Sequence, residues 1–221
     1  MGANGGPVGQ GLDNVVVRVD AFSSLSYSGT GNTITSLIKD DKLSTSGVTF
    51  NSIGEKYFIF GGSGFVTTGK NTGVSGTASR SMSAWVRFGR KAVQGVMCTG
   101  ANGAGTGMAV QTTATVWSLG TGSSATATTV TYNTNQWYFV TYVSQQTSGS
   151  THNIRLYVNG GLAHTAIATS INLTNSTFKI GCNNAGTGMS GFVSRANLFN
   201  KAISDKEIQK SYWNYKSRFR L

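Results

Sequence analysis

The segment NIRLYVNGG, residues 153–161, alternates side chains until it meets Asn159-Gly160. In an extended chain successive side chains point to opposite faces, so Ile154, Leu156 and Val158 fall on one side and Asn153, Arg155 and Tyr157 on the other. Asn-Gly supplies the positive φ angles of a tight two-residue turn, which makes the segment part of a β-hairpin. A ribbon with one apolar face is stable only when that face is covered, so the hairpin is expected to be scaffold within a larger sheet, with Tyr157 and Arg155 half-covered. The same grammar recurs along the chain. With 30 glycines and one proline in 221 residues, plus abundant Ser, Thr and Asn, the composition suits short strands and turns rather than helices.

Strands are expected at about residues 14–22, 55–67, 81–89, 92–99, 107–119, 126–132, 136–144, 152–158, 162–169, 176–182 and 191–199. Short strands with polar turns indicate an all-β fold of two packed sheets, and a sandwich of this length is usually one domain. Residues 1–11, MGANGGPVGQG, are Gly-rich without periodicity and are expected to form a flexible arm ahead of a domain spanning 12–221. One helix is expected, at about 204–217 in SDKEIQKSYWNYKSRF. Ser204 and Glu207 have capping-box spacing, and Ile208, Tyr212 and Tyr215 share one side at i, i+4, i+7. The opposite side would show Lys206, Lys210 and Asn214. With Lys216, Arg218 and Arg220 these lysines form a basic group expected to face a protein partner rather than nucleic acid.

Lys and Arg outnumber Asp and Glu by 18 to 7, a formal charge of +11. Such a field favours acidic partners: sulfated or sialylated glycans, an anionic membrane surface, nucleic acid or an acidic protein face. No run approaches the ~18 apolar residues of a membrane span, and the N-terminus resembles no secretory signal. Cys98 and Cys182 permit one disulfide but have no metal-ligand spacing, and are expected to be free, buried thiols.

Catalysis meets a gap. The acids are Asp13, Asp20, Asp40, Asp41, Glu55, Asp205 and Glu207, so none lies between Glu55 and Asp205. Glycoside hydrolysis generally needs an acid and a base or nucleophile, and the central strands carry no carboxylate for either role. The same gap argues against calcium, which prefers carboxylate oxygens; Asp40-Asp41 reads as a turn. His152 and His164 flank the hairpin without a partnered Ser, Cys or acid, and are expected to be exposed. GFVTTGKN, residues 64–71, nears a phosphate-loop pattern, but Asn71 replaces the metal-binding hydroxyl and no helix follows. No enzyme activity, metal or cofactor is expected.

Two glycine-rich stretches echo each other. GANGAGTGMA (100–109) and GCNNAGTGMS (181–190) agree at seven of ten positions. Glycine lets a backbone approach a ligand closely and Asn offers both donor and acceptor, so Asn102, Thr106, Asn183, Asn184 and Thr187 are candidate ligand or partner contacts. Aromatic faces stack on sugar C–H surfaces; Trp85 and Trp137 sit in apolar strands and read as core, leaving Trp117 as the candidate exposed stacker. Asn172 and Asn175 begin glycosylation acceptor triplets that matter only in a secretory compartment.

Several blocks fall in a familiar order. VDAFSSLSYSGTGNTITSLIKD (19–40), FIFGGSGFVTTG (58–69), SMSAWVRF (81–88), NQWYFVTYV with IRLYVNGGLA (135–163) and GFVSRANLFNKAISDKEIQKSYWNYKSRF (191–219) resemble concanavalin A-like lectin/glucanase domains of the laminin G-like and pentraxin-like kind. The resemblance spans roughly 12–219 and implies a two-sheet antiparallel jelly roll with a closing helix. Domains with this opening and closing are common in viral and phage structural proteins. It therefore implies a non-catalytic virion component (minor capsid, decoration or fibre) on the particle surface, packing against other virion or capsid proteins and copies of itself, with acidic glycans as further partners. The alternatives are a carbohydrate-binding lectin or adhesin module and a catalytically inactive relative of a glucanase.

Overall fold

The structure is a computed structural model that describes residues 14–221, so the expected arm at 1–11 lies outside the described residues. The strands are β1 (Val15–Asp20), β2 (Thr33–Thr35), β3 (Lys42–Asn51), β4 (Tyr57–Thr67), β5 (Arg80–Phe88), β6 (Gln94–Gly100), β7 (Gly107–Thr112), β8 (Val116–Thr121), β9 (Ser124–Thr131), β10 (Trp137–Ser148), β11 (Thr151–Val158), β12 (Gly161–Ala168), β13 (Phe178–Ile180) and β14 (Ser190–Phe199). They hydrogen-bond in the order β12-β11-β10-β5-β14-β4-β13-β6-β7-β8-β9, with every pairing antiparallel, and β1 lies beside β14. The architecture is the expected all-β jelly-roll sandwich with one C-terminal helix.

One continuous ladder makes two layers because β4 turns a corner. Its first half pairs with β14 (Phe58 opposite Val193) and its second half with β13 (Val66 opposite Ile180). The bend falls at Gly61-Gly62-Ser63-Gly64, where Gly62 takes φ +106° and a Cβ on Gly64 would enter the Gly47 carbonyl of β3. Only glycine permits both the torsion and the approach. β2 and β3 were not anticipated, because KLSTSGVTFN is polar and interrupted by Gly47; its pairing with β4 makes it a strand. The expected strand at 107–119 divides into β7 and β8, folding back after Thr112 so that Val110 faces Leu119.

Between the layers Phe88, Trp117, Tyr132 and Tyr138 pack ring on ring, with centroids 4.8–5.9 Å apart. A second apolar cluster lies on the outer face of β10, β5 and β11. There helix α1 (Asp205–Tyr215) and the 3₁₀ turn Lys216–Phe219 cover Trp85, Phe139 and Tyr157 with Ile208 and Phe219. The Ser204–Glu207 capping box forms as expected. Trp85 stacks on Phe219 at 4.3 Å. The docked helix corrects one expectation about the hairpin: Tyr157 is fully buried, donating its hydroxyl to Asp205 at 2.6 Å, while Arg155 is half-covered as expected. The turn itself is as read, with Asn159 at φ 52° and Gly160 at φ 82°.

Candidate functional site

The path of strands ends in two edges, β9 and β12, which approach each other at one end of the sandwich. Between them is an open cleft of about 340 Å³. Thr121, Ser124 and Thr126 line it from β8 and β9, Thr169 and Ser170 from the chain leaving β12, and exposed Ile167 supplies apolar surface beside the buried Ile154 and Ala168. The backbone of Ala104-Gly105 closes one wall. Gly105 is needed there: it takes φ +70°, and a Cβ would collide with the Ser170 carbonyl oxygen. Among the described residues, none of the Thr121, Ser124, Thr126, Thr169 and Ser170 side-chain hydroxyls has a hydrogen-bond partner within the chain, and Ile167 is 71% exposed. Free hydroxyls beside an apolar ledge can exchange water for the hydroxyls and C–H face of a neutral ligand.

The echoed loops adjoin, yet most of their polar side chains are already occupied. Asn184 donates its amide to the Thr99 and Gly100 carbonyls, both at 3.0 Å, and so ties the second loop to the first. Asn183 is buried, donates to Gln111 at 2.7 Å and accepts from the Thr187 backbone at 2.8 Å. Thr106 bonds Gly103 through both N–H and carbonyl at 2.9 Å. Asn183, Asn184 and Thr106 thus hold turns together. Asn102 is exposed and Thr187 half-buried. The first loop reaches the cleft through Ala104 and Gly105, not through Asn102 or Thr106.

Other expectations change as well. Trp117 is not an exposed stacker: it is fully buried in the inter-sheet aromatic cluster. Alternation along VWSL already placed it on the face of Leu119, which is also buried. His152 shares the inward face of Ile154 and Leu156; it is buried, with Nδ1 2.8 Å from the Ser144 hydroxyl, and His164 is half-buried. Burial, and then the charge of Arg80, lower the His152 pKa. Trp85 and Trp137 are core as expected.

In the basic group, Lys206, Lys210 and Arg220 are exposed, whereas Arg218 turns inward. Arg218 pairs with the buried Asp20 at 3.2 Å and lies 4.7 Å over the Tyr215 ring, so it anchors the C-terminus. Lys216 sits 3.7 Å over Trp213, the exposed aromatic of the helix.

Five carboxylates are spent on structure, and Asp40 is exposed. Asp20 pairs with Arg195 and Arg218, Asp41 with Lys70, Glu55 with Arg87 and the Trp137 indole, Asp205 with Arg155, and Glu207 with Lys201. None lines the cleft. Among the described residues no three His, Cys, Asp or Glu side chains gather as metal ligands, and no helix is long and apolar enough to cross a membrane.

These features define a concanavalin A-like jelly roll with an open, hydroxyl-lined rim cleft. A laminin G-type family model, described as the concanavalin A-like lectin/glucanases superfamily, matches residues 60–209, and the chain belongs to that superfamily. No curated protein matches its sequence. Among solved structures it is similar to botulinum neurotoxin type C, which depends on interaction with two ganglioside molecules to enter cells (TM-score 0.68, 17% identity, 93% of this chain and 51% of that one). It is also similar to domain 4 of AbnA, an extracellular arabinanase from Geobacillus stearothermophilus in complex with arabinotriose (TM-score 0.64, 14% identity, 89% and 97%). A third is a Trypanosoma rangeli sialidase mutant displaying trans-sialidase activity (TM-score 0.67, 14% identity, 95% and 34%). The chain spans about half the length of the neurotoxin chain, and likeness at these identities establishes the fold.

Proposed function

We propose that this chain is a glycan-binding, lectin-like module that acts by adhesion without catalysis, with the β9–β12 cleft as its site. The observation that carries the proposal is the set of uncommitted hydroxyls beside Ile154 and Ile167. A sugar presents hydroxyl groups around apolar C–H faces, and a site of neutral hydroxyls and aliphatic surface matches both. The lining residues are all uncharged, which favours neutral glycans over sialylated or sulfated ones: burying a carboxylate or sulfate without a charged partner is costly. With no carboxylate in the lining, binding should not need a divalent cation. A neurotoxin that interacts with gangliosides and an arabinanase domain in complex with arabinotriose, both sharing the fold, support glycan recognition over the particle-packing role that the sequence first suggests.

The test is a glycan array followed by calorimetry on the full chain, with and without chelator. Neutral oligosaccharides should bind equally in both, and Thr126→Arg and Ile167→Asp should each abolish binding with little change in melting temperature. Failure to bind any glycan, or binding unaffected by both substitutions, overturns the proposal. Stoichiometric incorporation into a virus or phage particle without glycan affinity would instead favour the virion role.

A further inference from the structure

Cys98 lies in β6, and Cys182 lies two residues beyond β13, the strand that pairs with β6. Lys179 stands opposite Cys98, and Gly181 donates to the Val96 carbonyl at 2.7 Å before turning the chain at φ +89°. Beyond that turn Cys182 clusters with Cys98 of β6. Cys98 and Cys182, free thiols that are 1% and 4% exposed, share one small buried cluster with Ala109, and Phe65 packs against it. The segment beyond is pinned by the Cys182–Gly188 bridge and by Asn183 on Gln111, so the contact is built into the fold.

We propose that Cys98 and Cys182 form a reversible intramolecular disulfide, with Cys182 as the attacking thiol and Cys98 as the resolving one. Cys98 lies within β6 and is 1% exposed, whereas Cys182 lies beyond β13 and is 4% exposed, so Cys182 is the thiol nearer solvent. Hydrogen bonding from Cys98 lowers the Cys182 pKa against the opposing effect of burial, with Lys179 assisting, while the same bond and burial raise Cys98. With oxidised glutathione, the Cys182 thiolate attacks one glutathione sulfur and expels the other as a thiolate. The Cys98 thiol then loses its proton and attacks the Cys182 sulfur, expelling the second glutathione. Two protein thiols become one disulfide, and the two electrons and two protons leave with two reduced glutathiones. The bond would lock the Gly-rich turn after β13 to β6 and close the long segment between residues 98 and 182.

The native full chain is equilibrated in glutathione buffers of rising oxidation, then denatured, alkylated and analysed by mass spectrometry. The expected product is a peptide pair linked through Cys98 and Cys182 with no free thiol, a melting temperature raised by about 5–10 °C, and reversal by reductant. In Cys98→Ser, Cys182 should accumulate as a glutathione mixed disulfide; in Cys182→Ser, Cys98 should stay unreacted. Two alkylatable thiols in the most oxidising buffer, or mixed disulfides alone on the wild-type chain, overturn the proposal. Should either variant fail to fold, the wild-type product decides it.

Discussion

The echoed glycine loops and the rim cleft both draw on small polar residues and glycine, yet they spend them differently. In the loops the amides and hydroxyls face the chain's own carbonyls: Asn184 reaches Thr99 and Gly100, and Asn183 reaches Gln111. In the cleft the hydroxyls of Thr121, Ser124, Thr126, Thr169 and Ser170 face solvent. A buried polar group must be paired or it costs stability, whereas an exposed one is free to pair with a ligand. Residue type alone therefore does not mark a binding surface. What matters is whether the donor has already been used.

The largest expected effect lies in the core between the layers. Trp117→Ala removes a fully buried indole and should cost about 3–5 kcal/mol in urea denaturation. An exposed stacker would cost almost nothing, so a small value would return Trp117 to the surface. Gly105→Ala, at the junction of loop and cleft, forces a Cβ against the Ser170 carbonyl at φ +70° and should cost about 2–3 kcal/mol by the same measurement. Asn184→Ala leaves the Thr99 and Gly100 carbonyls without their donor and should cost about 1–2 kcal/mol. An unchanged melt would mean that the loops are not tied together.

A smaller effect should appear with pH. The His152 pKa is lowered in the folded chain by burial first and then by Arg80, so the unfolded chain binds the proton more tightly. Stability from the neutral ring is complete above about pH 6.5, the unfolded value, and is lost as pH falls below it. Thermal melts should therefore decline between pH 7 and 5 in the wild type and decline less in His152→Asn. Equal slopes would remove His152 from the account. The smallest stability effect belongs to the cleft: Ser124→Ala and Thr126→Ala should stay within about 0.5 kcal/mol of wild type. Glycan affinity should still fall, by about three- to tenfold for each, on loss of one neutral hydrogen bond.

Alternation and turn chemistry were sufficient for most of the strands, the 153–161 hairpin, the capped helix and the resemblance to a concanavalin A-like sandwich, but not for polar β2 and β3 or the turn that divides β7 from β8. The same alternation also held the burial of Trp117 beside Leu119 and of His152 beside Ile154, although polar and aromatic character argued for exposure. The cleft carried no such signal. Its walls come from β8, β9, β11, β12 and the 101–106 loop, which are neighbours only after β4 turns its corner and the two sheet edges meet.

By itself the sequence determined what is local: period-two faces, positive-φ turns, the capping box and a long stretch without carboxylates. Only the tertiary structure decided which hydroxyls and amides are consumed, that Arg218 turns inward to Asp20, and that Cys98 meets Cys182. The physical reason is that a strand's pattern depends on its own residues, whereas the pairing of a polar group or thiol depends on what another part of the chain brings to it.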